Sequence, residues 1–235
     1  NKFGLPYNIT DNPVAETAKD AGYIRNIENV INGKGELIWE VPWVKGLKVR
    51  AASNYRYYGE TQKSWRKDAG QYDWDSESPV YANKPVLNHS SSTGYSFTNQ
   101  AFVEYANQFG KHNVSALGGF EQYYQKTENY WLQRDNYAFF IDQIGVGDAN
   151  TQTNGGEEAE MGRAAWIGQV KYNYDNKYYA EGSIRYDGSD RFAPGKRWGA
   201  FFSGSLGWVV TAEEFMQGLV EKNILNTLKL RASYG

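Results

Sequence analysis

The 235-residue sequence lacks cysteine altogether and contains only two histidines, His89 and His112. Without cysteine there can be no disulfide, no thiol nucleophile and no cysteine-ligated zinc, and the redox compartment stays undecided. Two histidines are too few for a histidine-rich metal site. We therefore expect neither a cofactor nor a metal centre.

Long apolar runs are missing as well, and the mean hydropathy is −0.71. This excludes a transmembrane helix but not a transmembrane β-barrel, because lipid-facing and lumen-facing residues alternate along barrel strands. The net charge is only −2 and both signs are interspersed, so nothing indicates a nucleic-acid partner.

Aromatic residues, by contrast, are abundant at 16% of the sequence, including 19 Tyr and 8 Trp. Membrane barrels place such residues in girdles at the two membrane interfaces. A soluble protein could use the same residues as a surface that binds sugars or proteins.

Eight segments alternate apolar and polar residues with a period of two, which predicts strands with two different faces. In AWIGQVKYNY, Trp166 and Val170 fall on one face, and Gln169 and Lys171 fall on the other. By residue number the segments are 36–43, 47–57, 101–107, 112–122, 165–174, 179–186, 201–210 and 228–234. Several approach the roughly 9–11 residues that a tilted strand needs to cross a bilayer.

The connections between these segments alternate in length. Short turns are predicted around Lys45, Gly110 and Asn176. The long connections are predicted at residues 60–95, 125–162 and 187–198. In an up-and-down meander this alternation places every long loop at one end and every short turn at the other, as in outer-membrane barrels with short periplasmic turns and long extracellular loops.

Two stretches do not fit the strand pattern. We expect residues 1–32 to be irregular, with one helical turn after Pro13. We expect residues 211–222 to form a brief helix that Thr211 caps, with Glu213 and Glu214 in its first turn.

These patterns predict an all-β fold: an antiparallel, up-and-down transmembrane β-barrel segment of about eight strands with long extracellular loops. The predicted apolar face combines small and aromatic residues, and the opposite face carries Lys, Arg, Glu and Ser. A soluble β-sandwich that binds carbohydrate or acts as an adhesin would show the same alternation and stays open as the alternative. A passive, porin-like barrel is a third possibility.

Residues 178–216, YYAEGSIRYDGSDRFAPGKRWGAFFSGSLGWVVTAEEFM, followed by LNTLKLRASYG, resemble the late barrel region of SusC/RagA-type TonB-dependent transporters of Bacteroidetes outer membranes. The earlier segments NPVAETAKDAGY and NGKGELIWEVPWVKGLKVRAASNY are similar to the same family. The resemblance implies that residues 1–235 are part of a single barrel domain, with 1–32 as its irregular part and 33–235 as strands and loops.

The resemblance also implies a function and a set of partners. It implies energised uptake of oligosaccharides or peptides across a Gram-negative outer membrane, with a SusD-like surface lipoprotein as partner and outer-membrane lipid around the barrel. The sequence shows neither the plug domain nor the TonB-binding box of this family, so TonB would act through a missing N-terminal region. Such transporters have about 22 strands around a plugged lumen, so we expect this chain to be a segment of a longer barrel.

Motifs for catalysis or metal binding are weak. DGSDRF offers Asp187 and Asp190 for calcium but lacks EF-hand spacing, and it is typical of a polar turn. SGSLG, at residues 203–207, misses the first glycine of a nucleophile elbow and no helix follows it. We therefore predict no enzymatic activity.

The remaining candidates for ligand contact are aromatic residues in the predicted long loops, since flat rings stack on sugars and also anchor protein contacts. Packing between loops would use the same residues and is the alternative. The candidate residues are Trp65, Tyr72, Trp74, Tyr130, Trp131, Tyr137 and Phe139.

Overall fold

The computed structural model of the chain describes residues 21–67, 71–72, 79–81 and 85–235, most of which lie in strands. In chain order these are β1 (Gly22–Glu40), β2 (Leu47–Arg66), β3 (Gln71–Tyr72), β4 (Pro79–Tyr81), β5 (Val86–Phe109), β6 (His112–Asp135), β7 (Thr153–Tyr174), β8 (Tyr178–Ser189), β9 (Trp198–Val209) and β10 (Lys229–Tyr234). Among these residues, no helix has the length and apolar character needed to cross a membrane.

The main sheet has eight strands in the order β1-β2-β5-β6-β7-β8-β9-β10, and β3 pairs with β4 in a separate hairpin. Each strand of the main sheet therefore lies beside the strand that follows it in that sheet, which is the predicted up-and-down meander. Within the described residues, β1 and β10 are the two ends of this order. The predicted eight-stranded antiparallel sheet is confirmed.

The strands are longer than the sequence pattern predicted. β5 and β6 have 24 residues each, against roughly 9–11 for crossing a bilayer. The connections predicted at 60–95, 125–162 and 187–198 shrink to residues 67–85, 136–152 and 190–197. Polar strand ends such as those of β5 and β6 show no apolar alternation, so the pattern assigned them to loops.

Two further expectations are wrong. Residues 22–32 are not irregular, because β1 begins at Gly22; the helical turn predicted after Pro13 lies outside the described residues. Thr211 does not cap a helix: its hydroxyl accepts a hydrogen bond from the Leu228 backbone N–H at 3.1 Å. The segment instead forms two 3₁₀ turns, Val210–Ala212 and Glu214–Met216, before the five-residue helix α1 (Gln217–Glu221).

Residues with positive φ explain the short turns at Asn176 and at Lys45. Asp175 and Asn176 both have positive φ, as the two central residues of a type I′ turn require, and Asn and Asp tolerate this conformation. Gly46 also has positive φ, and a Cβ there would lie 1.9 Å from the Ala106 carbonyl oxygen. Lys111 Nζ donates to Asp175 Oδ2 at 2.8 Å. This contact places two of the short turns side by side, as the alternation of connection lengths predicted.

The described residues fall into two compact units. The first unit contains described residues of 21–31, 57–95 and 126–159. The second unit contains residues 32–56, 96–125 and 160–235. Each unit has its own pattern of burial, and each is described below by itself.

The register of β7, β8 and β9 sorts the second unit into an apolar face and a polar face. The rows of the apolar face include Gly168–Ile184–Phe202, Val170–Gly182–Gly204 and Tyr172–Ala180–Leu206. The rows of the polar face include Gln169–Ser183–Ser203 and Lys171–Glu181–Ser205. Side chains directly opposite on paired strands share a face, so the predicted alternation becomes two continuous surfaces.

Aromatic rings mark both ends of the apolar face. Trp166 pairs with Tyr186 at one end, and Tyr174 pairs with Tyr178 at the other. Along β7, Trp166 and Tyr174 are eight residues apart, about 26 Å at the usual rise per residue. A strand tilt of about 40° reduces this to roughly 20 Å, close to the apolar band of about 25 Å between barrel girdles.

Candidate functional site

Three side chains of the first unit form an aromatic anchor: Trp65 of β2, Leu87 of β5 and Tyr137 of the connection 136–152. Trp65 is 4% exposed and Tyr137 is 6% exposed. Their rings meet edge to face with centroids 4.8 Å apart, a geometry that aromatic pairs prefer. The connection is therefore folded back onto the strands.

Polar contacts hold the same connection. Lys63 Nζ donates to Asp142 Oδ2 at 2.8 Å, and the Tyr23 hydroxyl donates to the same oxygen. The hydrogen bond from Lys63, followed by the one from Tyr23, lowers the pKa of the Asp142 carboxyl below its ordinary value. Arg134 donates to the Gly147 carbonyl oxygen at 3.3 Å. The connection 136–152 is thus fixed by charge-assisted bonds as well as by packing.

The predicted aromatic residues have different surroundings. Trp65 and Tyr137 cover each other, so neither offers a free face to a ligand. They pack a loop against the strands, which was the alternative to ligand contact. Tyr130, Trp131 and Phe139 are exposed by 49%, 41% and 68%. Of the last two candidates, Tyr72 belongs to the short strand β3, and Trp74 lies outside the described residues.

Tyr130 and Trp131 line a concavity of the first unit, the outer cavity, with a volume of about 220 Å³. Polar residues complete its lining: Glu60, Gln62, Ser90 and Asn129. The Trp131 indole lies against Gly155, where a Cβ would be 2.8 Å from its Nε1. Carboxylate, amide and hydroxyl groups beside an aromatic ring can hydrogen-bond and stack on a polar ligand.

Sequence reasoning missed Glu60, Gln62 and Asn129 because it assigned them to loops. No alternation marks these polar strand ends in the sequence; in the structure, β2 and β6 continue past their apolar segments and bring these side chains next to Trp131.

The polar face of the second unit carries a cationic cavity of about 540 Å³. The charged residues that line it are Arg163, Arg185, Lys196, Arg197, Glu121 and Asp187. Arg185 Nη2 pairs with Asp187 Oδ1 at 3.0 Å, and Glu121 accepts from Gln100 Nε2 at 2.5 Å. The Arg163 guanidinium lies 4.8 Å from the centroid of the Tyr123 ring.

A second concavity, of about 800 Å³, opens on the polar face nearer the short turns. Lys171, Glu181, Lys229 and Arg231 line it. Glu181 accepts from Gln169 at 2.6 Å and lies 3.8 Å from Lys171 Nζ. Lys229 Nζ lies 3.8 Å from the centroid of the Tyr179 ring. This face is polar at the rows of Gln169, Lys171 and Asn173, and it also carries the apolar side chains of Ala165, Ile167 and Phe201.

Large side chains on the apolar face of the second unit are exposed. Phe202 and Leu206 are exposed by 66% and 67%, and Trp166 by 57%. Within the described residues the only other sheet is the short β3–β4 hairpin, whereas a β-sandwich would cover this face with a second sheet. No group of three His, Asp or Glu side chains in the described part of the chain could hold a metal ion.

The chain is similar to curated proteins named TonB-dependent receptors. It is 34% identical over 151 residues to TonB-dependent receptor P39 of Formosa agariphila, a match that covers 61% of this chain and 14% of the relative. It is 24% identical over 201 residues to TonB-dependent receptor SusC of Bacteroides thetaiotaomicron, covering 82% of this chain and 16% of SusC. The chain thus spans about one seventh of the length of these relatives. No protein-family model matches it.

Solved structures share the fold. The RagAB peptide transporter aligns with a TM-score of 0.77 at 20% sequence identity, covering 91% of this chain and 23% of the other. The RagAB peptide importer in the "open-open" state aligns with a TM-score of 0.77 over 92% of this chain. At this identity the likeness concerns the fold.

The fold, the sorted faces and these alignments define a class: the chain is a segment of an antiparallel, up-and-down transmembrane β-barrel. Within that class it is similar to part of TonB-dependent receptors such as SusC, which agrees with the SusC/RagA resemblance at residues 178–216. The relatives from Formosa and Bacteroides fit the expected Bacteroidetes origin.

Proposed function

We propose that this chain forms part of the barrel wall of an outer-membrane, TonB-dependent importer that takes up oligosaccharides or peptides. The observation that carries the proposal is the register of β7, β8 and β9, which gives one wall an exposed apolar face and a charged face. A transport barrel needs both, one toward lipid and one toward a wet lumen. The similarity to TonB-dependent receptors favours this function over a soluble carbohydrate-binding sandwich and a passive porin.

The proposed topology follows from the connections. The short turns near Lys45, Gly110 and Asn176 face the periplasm, and the connection that contains Asn150 and the one that contains Pro194 face the exterior. Outer-membrane barrels sort their connections in this way. Trp74, which we also place on the exterior, lies outside the described residues.

The chain contributes a surface that cargo moves along, and it catalyses no reaction. Its polar face offers cargo a hydrated path lined by charged and aromatic side chains, and we propose no bond-making step. The curated relatives are named receptors, and we propose that this chain belongs to a receptor and has no catalytic activity. TonB would supply the energy for uptake, because the names of the relatives state that they depend on TonB.

We propose that cargo contacts the outer cavity. Trp131 supplies an exposed ring, and Glu60, Gln62 and Asn129 supply polar groups around it. Tyr130 belongs to the same cavity. Phe139 has a different setting: with Phe140 and Ile141 it forms an apolar run in the connection 136–152.

That apolar run is the surface we propose for a SusD-like lipoprotein partner. Phe139, Phe140 and Ile141 are exposed by 68%, 73% and 45%. The connection that carries them is fixed by the aromatic anchor and by Lys63–Asp142, so these side chains stay exposed in an ordered segment. Exposed apolar patches on ordered segments are typical of protein contacts.

The proposed function is tested in cells that lack the full-length receptor gene and carry either the wild-type gene or none. A panel of fluorescently labelled oligosaccharides and peptides is supplied, with and without a functional TonB. We expect uptake of at least one probe only when both receptor and TonB are present. Uptake that continues without TonB would identify a passive porin and would contradict the proposal.

The topology is tested separately with epitope tags at Asn150 and at Asn176 in the full-length receptor. On intact cells we expect antibody to label the tag at Asn150 only. After permeabilisation both tags should be labelled, which controls for the exposure of each epitope. Labelling at Asn176 alone on intact cells would invert the topology.

A further inference from the structure

The cationic cavity of the second unit has more positive charge than its own carboxylates neutralise. Of the residues that the structure describes, four cations and two carboxylates line it. Asp187 is paired with Arg185, whereas Glu121 is hydrogen-bonded to the neutral amide of Gln100 and keeps its negative charge in the lining. Within the described part of the chain, Arg163, Lys196 and Arg197 form no ion pair with a carboxylate. The four cations outnumber the two carboxylates by two, and an anion placed between Arg163, Lys196 and Arg197 would relieve the repulsion that remains.

The cations are positioned to donate to a ligand. Arg197 uses Nε to donate to the Phe192 carbonyl oxygen at 3.2 Å, which orients its guanidinium. Its terminal nitrogens have no hydrogen-bond partner among the described residues. Arg163 lies 4.8 Å from the centroid of the Tyr123 ring, a stacked position that guanidinium groups favour. A guanidinium matches the two oxygens of a carboxylate with two parallel hydrogen bonds.

Apolar rings adjoin these charges. Phe192 and Phe201 also line the cavity and are each 61% exposed. Exposed rings beside cations suit a ligand that carries its negative charge on a flat or partly apolar body rather than a small, fully hydrated anion. The outer cavity differs, because Glu60 is the one charged residue among the described residues that line it.

We propose that the cationic cavity binds carboxylate groups of the cargo, so that the receptor selects acidic cargo. This inference rests on the proposed function, because it takes the polar face as the path of the cargo. Arg163, Lys196 and Arg197 would bind the carboxylates, and Phe192 and Phe201 would contact the body that carries them. An acidic oligosaccharide and an acidic peptide share this chemistry.

The test uses the purified full-length receptor in detergent and three probes of similar length: hexagalacturonate, the neutral hexasaccharide maltohexaose, and hexaglutamate. Binding is measured by titration calorimetry at low and at high salt. We expect an anionic probe to bind at least about tenfold more tightly than maltohexaose, and added salt to weaken its binding because charge pairs are screened. The probe that binds shows whether a saccharide or a peptide carries the carboxylate.

Matched variants locate the site. Arg163→Gln and Arg197→Gln should each weaken binding of the anionic probe by about tenfold, the usual size of a charge-assisted contact. Arg191→Gln is the control, because Arg191 belongs to the same connection as Arg197 and does not line the cavity. Arg197→Lys should retain part of the affinity. Heat-modifiable migration of each variant controls for folding.

Equal affinity for acidic and neutral probes, or no binding of either anionic probe, would overturn the proposal. So would an Arg163→Gln, Arg197→Gln double variant that folds and binds as tightly as the wild type; the cavity would then be filled by another part of the receptor. The binding assay needs no TonB, so failure of the proposed importer function and failure of this inference are distinguishable.

Discussion

Aromatic side chains in the two units serve different purposes. In the first unit, Trp65 and Tyr137 bury each other and fasten a connection. In the second unit, Trp166 and Tyr186 stay exposed on a sheet face. The same residue types therefore form a small core in one unit and a girdle-like row in the other, and aromatic content alone does not distinguish the two.

The surroundings of each ring decide its role. Trp65 has a folded-back connection above it, whereas Trp166 stands in a row whose opposite face is polar, with Gln169 and Lys171 on the same strand. No described element covers Trp166 on the apolar side, and the proposed barrel wall places lipid against its exposed ring. The following predictions test this distinction, from the largest expected effect to the smallest.

Trp65→Ala should destabilise the first unit by about 3–5 kcal/mol, the range for removing a buried Trp, with the loss concentrated in the connection 136–152. Limited proteolysis of the full-length receptor, with cleavage sites mapped by mass spectrometry, measures this. Trp131→Ala, which removes a 41% exposed ring, is the control and should leave cleavage unchanged. Equal cleavage of both variants would mean that burial does not separate the two rings.

Val170→Arg should destabilise the receptor in lipid by about 2–4 kcal/mol, the cost of a charge on the lipid face near the bilayer midplane. Val170 lies midway between the aromatic rows of Trp166 and Tyr174. The free energy of unfolding in lipid vesicles, from denaturant titration, is the measurement.

Gln169→Arg is the matched control for Val170→Arg, on the next residue but the opposite face. Gln169 already donates to Glu181, so a new arginine there has a carboxylate partner. We expect its unfolding free energy to stay close to wild type. A loss as large as that of Val170→Arg would mean that both faces meet lipid or that neither does.

Tyr137→Phe should leave the first unit as stable as the wild type or raise its stability by about 1 kcal/mol. The Tyr137 hydroxyl is buried with no hydrogen-bond partner in the described part of the chain, and an unsatisfied buried hydroxyl is destabilising. Burial also raises the pKa of this hydroxyl. Denaturant titration, with proteolytic cleavage of 136–152 as the readout, measures the effect. A clear loss of stability would show that the hydroxyl has a hydrogen-bond partner.

Acid should loosen the connection 136–152 through Asp142. The pKa of this carboxyl is lowered in the folded state, so its stabilising contribution is present above the ordinary Asp pKa of about 4 and is lost as the pH falls below it. Amide hydrogen exchange, corrected for its intrinsic pH dependence, should show faster exchange of 136–152 at pH 3 than at pH 6. Asp142→Asn should remove most of this difference, and an unchanged difference would assign it to other groups.

The sequence predicts the second unit well because period-two alternation is a local signal. It locates β7, β8 and β9 and assigns their faces from residues such as Val170 and Lys171. It fails where the strands continue as polar segments: the ends of β5 and β6 were predicted as loops, since a strand that is wet on both faces shows no alternation.

The site was harder to predict than the fold. Exposure of Trp131 and burial of Trp65 depend on where the connection 136–152 folds, which is a contact between residues about 70 positions apart in the sequence. The cationic cavity likewise combines Arg163 and Arg197 through pairing of strands. No local pattern records either juxtaposition.

The central claim is that the apolar face of the second unit meets lipid and its polar face meets water. Spin labels placed singly at positions 166–174 of β7, in the full-length receptor in lipid vesicles, test this most directly. We predict a period of two in collision rates: even positions such as Val170 accessible to oxygen, and odd positions such as Lys171 accessible to a water-soluble nickel chelate. Uniform accessibility, or the opposite alternation, would contradict the claim.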